Sequence, residues 1–348
     1  MKLKPRLDWL LVCVPIAFVL EFTHADPVAI FAVAALAVLP LAVLMGHATE
    51  ELAVRSGPQL GGFLNATFGN LAELIIAFFL ILEGELEIVK ASLTGAIIGN
   101  VLLILGLSFL VGGWKREQQK FSLASAELHS SSLVIAVVAL LMPALFFTAG
   151  DVTEFRTEAV SVGVSVVLII TYVFSLIFSM KTHKSLFAHE GGHEEAKWSV
   201  RRAVTTLAVA TVFVAVMSEF LVGALNHTVE ELNLSPLFVG LIIVPLISNA
   251  AEHASAILLA AKDKMSVSIE IAIGSSVQIA LFVAPVLVFL SLLTDNPLDL
   301  IFTGFEIAAV GFSAAILSFI ALDGRSNWFE GVLLLSAYVI MAISFFFL

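Results

Sequence analysis

A single cysteine, Cys13, leaves this 348-residue chain without an internal disulfide and without a cysteine metal cluster. Charge is scarce as well: 13% of residues are Asp, Glu, Lys or Arg, and only 17 are basic. No P-loop or other nucleotide-binding string appears, which argues against an ATP-driven pump. No Ser–His pairing falls in matched membrane positions, and the one HExxH string, His189–His193, lies in a polar loop, which argues against an intramembrane hydrolase. With a formal net charge of −11, no nucleic-acid partner is expected, and nothing calls for a resident cofactor.

Apolar residues fill the space that charge leaves. They make up 60% of the chain, and the mean hydropathy is +1.06, far above that of a soluble domain. Eleven apolar runs are long enough to cross a hydrocarbon core: about 8–24, 27–46, 59–82, 88–111, 130–149, 157–180, 203–224, 235–261, 267–293, 298–321 and 327–347. Placing the N-terminus in the cytoplasm puts 15 basic residues in inside loops, against Lys90 and Arg156 outside. That imbalance satisfies the positive-inside rule, supports the count and places the C-terminus outside. The first run has the basic flank of a signal peptide but no small-residue cleavage site, so it reads as an uncleaved span. The expected fold class is an all-α polytopic membrane protein with 11 transmembrane helices.

The two halves of the chain align at an offset of 179: Gly61 with Gly240, Asn70 with Asn249, Glu73 with Glu252, Gly95 with Gly274. The offset then slips by one, so that Asn100 falls opposite Gln278. Residues 1–26 form an extra first helix, 27–180 repeat 1, 181–202 a cytoplasmic connecting loop, helical in part, and 203–348 repeat 2. Five helices per repeat force the repeats into opposite orientations, the signature of an inverted-topology transporter with its site at the midplane. Glycines and prolines crowd both motifs, at 57–112 and 235–293, and predict breaks near Gly69 and near Pro245–Ser248.

Glu73 in GNLAE and Glu252 in SNAAEH place carboxylates inside apolar helices, where they are costly and kept for function. Each follows an Asn by three residues, which on a continuous helix puts Asn70 and Asn249 on the carboxylate face. Two carboxylates with neutral oxygen donors suit a hard cation. The candidates are Glu73, Glu252, Asn70, Asn249, Asn100 and Gln278, with Ser248, Ser275 and Ser276 as secondary donors. Two negative charges and flexible oxygens favour Ca²⁺ as the metal held by Glu73 and Glu252. When the site is empty, desolvation and mutual repulsion disfavour two bare carboxylates, so protons replace the cation. His253, next to Glu252, either shuttles protons or is a histidine hydrogen-bonded between helices.

Other acids read more plainly. Glu219, Glu270, Glu306 and Glu330 lie near helix ends or lack a repeat partner, and read as interfacial or packing contacts. Glu50 and Glu51, with His47, read as a solvated helix end at the cytoplasmic entrance. The run HEGGHEE (His189–Glu195), with His183 nearby, reads as a solvated turn ahead of a weak metal site or pH sensor.

NATFGNLAE (Asn65–Glu73), NAAEH (Asn249–His253) and GSSVQIALFVAP (Gly274–Pro285) resemble the two alpha-repeat motifs of the CAX-type calcium/proton exchangers. These belong to the calcium/cation antiporter superfamily with the sodium/calcium exchangers. The resemblance covers nearly the whole chain. It implies a sodium/calcium-exchanger-like fold, alternating access, Ca²⁺/H⁺ antiport and assembly as a homotrimer in a lipid bilayer. It assigns ion binding to Glu73, Glu252, Asn70, Asn249, Asn100 and Gln278, and a histidine role to His253. Gln278 is an amide where sodium/calcium exchangers commonly carry an acid. Gly99 stands where the family often has a serine before Asn100, and the connecting loop is less acidic than in many relatives.

The alternatives are a Na⁺- or K⁺-coupled Ca²⁺ exchanger of the same superfamily and, in a different class, a channel, against which the inverted repeat argues. The compact chain points to a prokaryotic inner membrane, with an organelle membrane as the other possibility.

Overall fold

The computed structural model describes residues 7–148, 153–183 and 196–348. The elements are α1 (Cys13–Phe22, after a 3-10 turn at Leu7–Val12), α2 (Pro27–Phe68), α3 (Leu71–Leu82), α4 (Leu86–Gly113), α5 (Leu123–Thr148) and α6 (Glu154–Ile177). After the connecting loop come α7 (Val200–Gly223), short α8 (Leu225–Glu231), α9 (Pro236–Ser248), α10 (Ala250–Ala261), α11 (Met265–Ser291), α12 (Gly304–Ile320) and α13 (Trp328–Phe346). Among the described residues seven helices are long and apolar enough to cross a bilayer, and an eighth if α9 and α10, bent by 65° where they meet, form one span. Of the loop at 181–202, His189–Glu195 lies outside the described residues.

Local sequence explains where these helices start. Pro27 at the first position of α2 has no N–H to waste, and Asp26 accepts from Ala29 N at 3.1 Å. Pro236 repeats the device in α9, with Ser235 accepting from Phe238 N at 3.0 Å. Asn327 and Glu330 form a capping box at the head of α13.

The backbone of α2 stays helical through Gly57–Pro58, although Pro58 has no N–H to donate, but the path is not straight. A Cβ built on Gly61 would collide with the carbonyl of Ala53, eight residues earlier. In a straight helix those residues stand about 12 Å apart. The chain therefore folds back around Gly57–Pro58, and the apolar span of α2 ends at Ser56. The sequence led us to expect two runs with a loop between them. The structure replaces the loop with a tight helical turn.

One apolar cluster joins every layer. The repeat counterparts α4 and α11 are its most enclosed helices, while α5, α6 and α13 turn most of their surface outward. Both α4 and α11 contain a π turn at matching places, Gly99–Ile104 and Ile279–Val283, and α9 holds another at Val239–Ile243. Such insertions are frequent at functional sites.

At the end of the molecule rich in Lys and Arg, here the basic end, three connections are clasped together. Gln119–Lys120 pairs antiparallel with Arg325–Ser326. Gln119 Nε2 also donates to Asp263 Oδ1 at 2.7 Å and to Ala260 O at 3.2 Å. Among the described residues the fold is thus all-α apart from two strands of two residues, too short to leave a pattern in sequence. At the opposite, acidic end, Lys90 pairs with Asp299 at 3.1 Å. Between α1, α2 and α7 an open groove of about 480 Å³, lined by Leu11, Leu41, Leu44 and Phe213, lies away from the polar centre.

Candidate cation site

The break between α2 and α3 falls at Gly69–Asn70, and that between α9 and α10 at Asn249. Asn70 (φ −99°, ψ 23°) and Asn249 (φ −94°, ψ 6°) leave the helical path in nearly the same conformation. This corrects the helix-face reading: neither Asn lies on a continuous helix, because each is the junction itself. Asn tolerates that role, having a short side chain that competes with backbone hydrogen bonding.

Glu73 and Glu252 occupy the first turn of the half-helices that follow. There the positive end of the helix dipole favours an anion, while the preceding half-helices direct carbonyls toward a cation. The two carboxyl groups are near enough to feel each other's charge. Gly69 lies beside this pair, since a Cβ there would stand at ordinary contact distance, 3.9 Å, from Glu252 Oε1.

The amides and hydroxyls form a directed chain. His253 Nε2 donates to Asn100 Oδ1 at 3.0 Å, and Asn100 Nδ2 donates to Ser275 Oγ at 3.2 Å. Ser275 Oγ donates to Asn70 Oδ1 at 3.2 Å, and Asn70 Nδ2 donates to Gln278 Oε1 at 2.6 Å. Every bond joins one half of the sequence to the other. All four donors point the same way, an arrangement in which each bond polarises the next. His253 is buried, and its Nε2 must carry the proton because Asn100 Oδ1 can only accept.

Asn249 breaks the symmetry. Its Nδ2 turns back to Pro245 O at 3.2 Å and Ser248 Oγ at 3.0 Å. Ser276 hydrogen-bonds Ala272 O and Ile97 O and so packs α11 on α4, one step away from the carboxylates.

Three buried oxygens at the centre have no hydrogen-bond partner: Glu73 Oε2, Glu252 Oε2 and Asn249 Oδ1. Buried polar atoms are seldom left so, and all three are acceptors, the kind of atom a cation satisfies. Among the described residues no group of three or more His, Cys, Asp and Glu converges. Donors beyond the two carboxylates are therefore amide, hydroxyl and carbonyl oxygens, the set that suits Ca²⁺ rather than zinc or copper.

The remaining acids have local partners. Glu306 Oε2 accepts from Thr303 N and Oγ1, both at 2.8 Å. Glu330 belongs to its capping box, and Glu219 is exposed. Glu51, read from sequence as a solvated helix end, instead accepts from Trp198 N at 2.9 Å, and Arg55 Nε donates to Trp198 O at 2.7 Å. Those bonds fasten the turn of α2 to the end of the connecting loop.

Broken membrane helices that bring carboxylates and amides together midway along their length define a secondary transporter rather than an enzyme. The chain belongs to the family described as sodium/calcium exchanger protein, which matches residues 27–181 and again 202–347. It is 44% identical to a Ca(2+)/H(+) antiporter of Aphanothece halophytica, over 97% of this chain and 95% of that one. It is also 44% identical to Ca(2+)/H(+) antiporter ChaA of Bacillus subtilis, over 99% of both. The solved structure of native YfkE is similar, with a TM-score of 0.87 and 41% identity, covering 99% of this chain and 100% of that one.

Proposed function

We propose that this protein exchanges Ca²⁺ for protons by alternating access. The observation that carries the reading is the set of three orphaned acceptor oxygens, two of them carboxylate, between two broken helices. Ca²⁺ neutralises both carboxylates and occupies the lone pairs that no protein donor fills. When it leaves, two carboxyl groups that repel each other away from bulk water take protons instead. Either cargo cancels the charge, so the loaded site crosses neutral and the bare one does not. Glu73 and Glu252 hold Ca²⁺ and protons. Asn249, Asn70, Asn100 and Gln278 supply further oxygens, and Ser248 and Ser275 hold those amides in place. The names of close relatives over nearly the whole chain support the same coupling.

Orientation follows from the basic residues: the basic end faces the cytoplasm. With α1, α3 joined to the second limb of α2, and α12 added to the eight spans, the chain crosses eleven times. The access state follows from the two gates. On the acidic side α9 is packed onto α4, and a Cβ on Gly95 would collide with Leu241. On the basic side a Cβ on Gly274 has, among the described residues, only His129 Cε1 within 4 Å, at 3.8 Å. The site is closed outward and open inward.

The test is ⁴⁵Ca²⁺ uptake into sealed proteoliposomes with an acid interior, with and without a protonophore, and with or without Na⁺. Uptake that needs the pH gradient and ignores Na⁺ is expected. Uptake that follows a Na⁺ gradient would keep the site and overturn the coupling.

A further inference from the structure

In the closed acidic-side gate, Gly240 of α9 rests on α4. A Cβ there would collide with Ala91 Cβ and stand 3.0 Å from Ile88 O. The internal offset of 179 maps this contact onto the other half: Gly240 to Gly61, Ile88 to Val267 and Ala91 to Glu270. In the present structure the nearest atoms to a Cβ on Gly61 belong to Ala53 instead. The basic-side contact is therefore unmade, and burial agrees: Ile88 and Ala91 are buried, whereas Val267 and Glu270 are only half-buried. When that gate closes, the Gly61 segment comes down on Val267 and Glu270, as Gly240 now rests on Ile88 and Ala91.

The difference between the halves is chemical. One receiving surface presents a methyl group, Ala91, and the other a carboxyl group, Glu270. Glu270 stands four residues before Gly274 on the same face of α11, and the ring of His129 from α5 lies against Gly274. Glu270 and His129 interact electrostatically. The other titratable or charged groups on elements packed against α11 are Glu252 and His253 on α10, Glu127 on α5, and Glu87 and Lys90 at the far end of α4. Glu73 on α3, and on α6 Tyr172 with Arg156 and Glu158 at its acidic end, also lie on elements packed against α11, and at the basic end stand Arg116, Lys120, Asp263 and Lys264.

We propose that Glu270, beside His129, is a second proton-binding site, outside the cation site, that must be neutral for the cytoplasmic gate to close. In the open gate Glu270 is half-buried, with its Oε2 already shielded, and a closed gate covers the rest with the Gly61 segment, which an uncompensated charge opposes. Proton occupancy at Glu270 thus favours the outward-open state. The proposal rests on the alternating-access reading but not on the coupling ion.

The experiment uses the full chain in detergent with Cys13→Ser and a reporter, Val267→Cys, on the surface the gate would cover. The rate of labelling by a charged methanethiosulfonate reagent at pH 8 is compared among Glu270, Glu270→Gln and Glu270→Ala forms, a pH chosen roughly 4 units above an ordinary carboxyl so that only the parent carries the charge. Both neutral variants should label at least about tenfold more slowly, because each lets the gate close without a proton. Ala is the residue the other half already uses at this place. Rates within twofold of the parent in a folded variant, or failure of both variants to fold, would overturn the proposal. Loss of proton-driven uptake in the parent would sink the antiport reading and leave this comparison standing, since labelling reads gate position alone.

Discussion

Gly95→Ala should push the transporter out of the conformation described above. A Cβ on Gly95 would overlap the oxygen, carbonyl carbon and Cα of Leu241, all backbone, so no rotamer change relieves it. Overpacking of this kind costs about 1–3 kcal/mol when a helix must shift to absorb it. The cost falls only on the state in which α9 lies on α4. Once α9 swings away, alanine is neutral or slightly favourable in a helix. The equilibrium therefore moves about 5- to 150-fold toward outward opening. A buried reporter on α4, Ser92→Cys in a Cys13→Ser background, should label correspondingly faster, while Ca²⁺/H⁺ exchange slows because return to the inward state becomes uphill. Gly163→Ala, where a Cβ meets nothing within 4 Å, is the control. If Gly95→Ala matched that control in both labelling and transport, the packed gate would not be the closed state.

Glu73→Gln and Glu252→Gln should each abolish exchange while the protein stays folded, and near-normal ⁴⁵Ca²⁺ flux in either would end the paired-carboxylate account. Apparent Ca²⁺ affinity should fall with pH by up to about 100-fold per unit where two protons compete for the site, and isothermal titration across pH showing no such slope would exclude proton competition. His253→Ala removes the donor at one end of the four-bond chain, so exchange should persist with altered rate or pH dependence. An unchanged profile across pH 6–8, roughly the histidine range, would leave His253 a packing residue.

The cation site was legible in sequence because it is written twice. Glu73 and Glu252 stand out against apolar surroundings, and their spacing from Gly95 and Gly274 is the same in both halves. Asn100 and Gln278 followed from the same alignment. The pairing was not legible: nothing in the spacing says that Asn70 reaches Gln278 while Asn249 turns back to Ser248, because those choices depend on how the halves are displaced. The Asn positions misled in another way, since three residues of separation suggests a shared face of one continuous helix, whereas the chain breaks at each Asn itself. The π turns left no signal either, being one extra residue in an otherwise helical pattern. Glu270 looked unremarkable from sequence because it lacked a duplicate. Its place against the gate emerges only when Gly240, Ile88 and Ala91 are seen in contact.

The tight turn at Gly57–Pro58 bears on how the chain enters the bilayer during synthesis. The limb before it, Pro27–Ser56, is strongly apolar, with a mean hydropathy of 2.8. The limb after it carries Asn65, Asn70 and Glu73 among its apolar residues, which lowers its own tendency to insert. With Gly61 folded against Ala53, no free loop separates the two. If they enter the bilayer as the helical hairpin they form in the fold, the greasy first limb carries the ion-binding second limb into the lipid. An insertion that opened this turn would uncouple the two limbs and leave the second to enter the lipid on its own apolar residues.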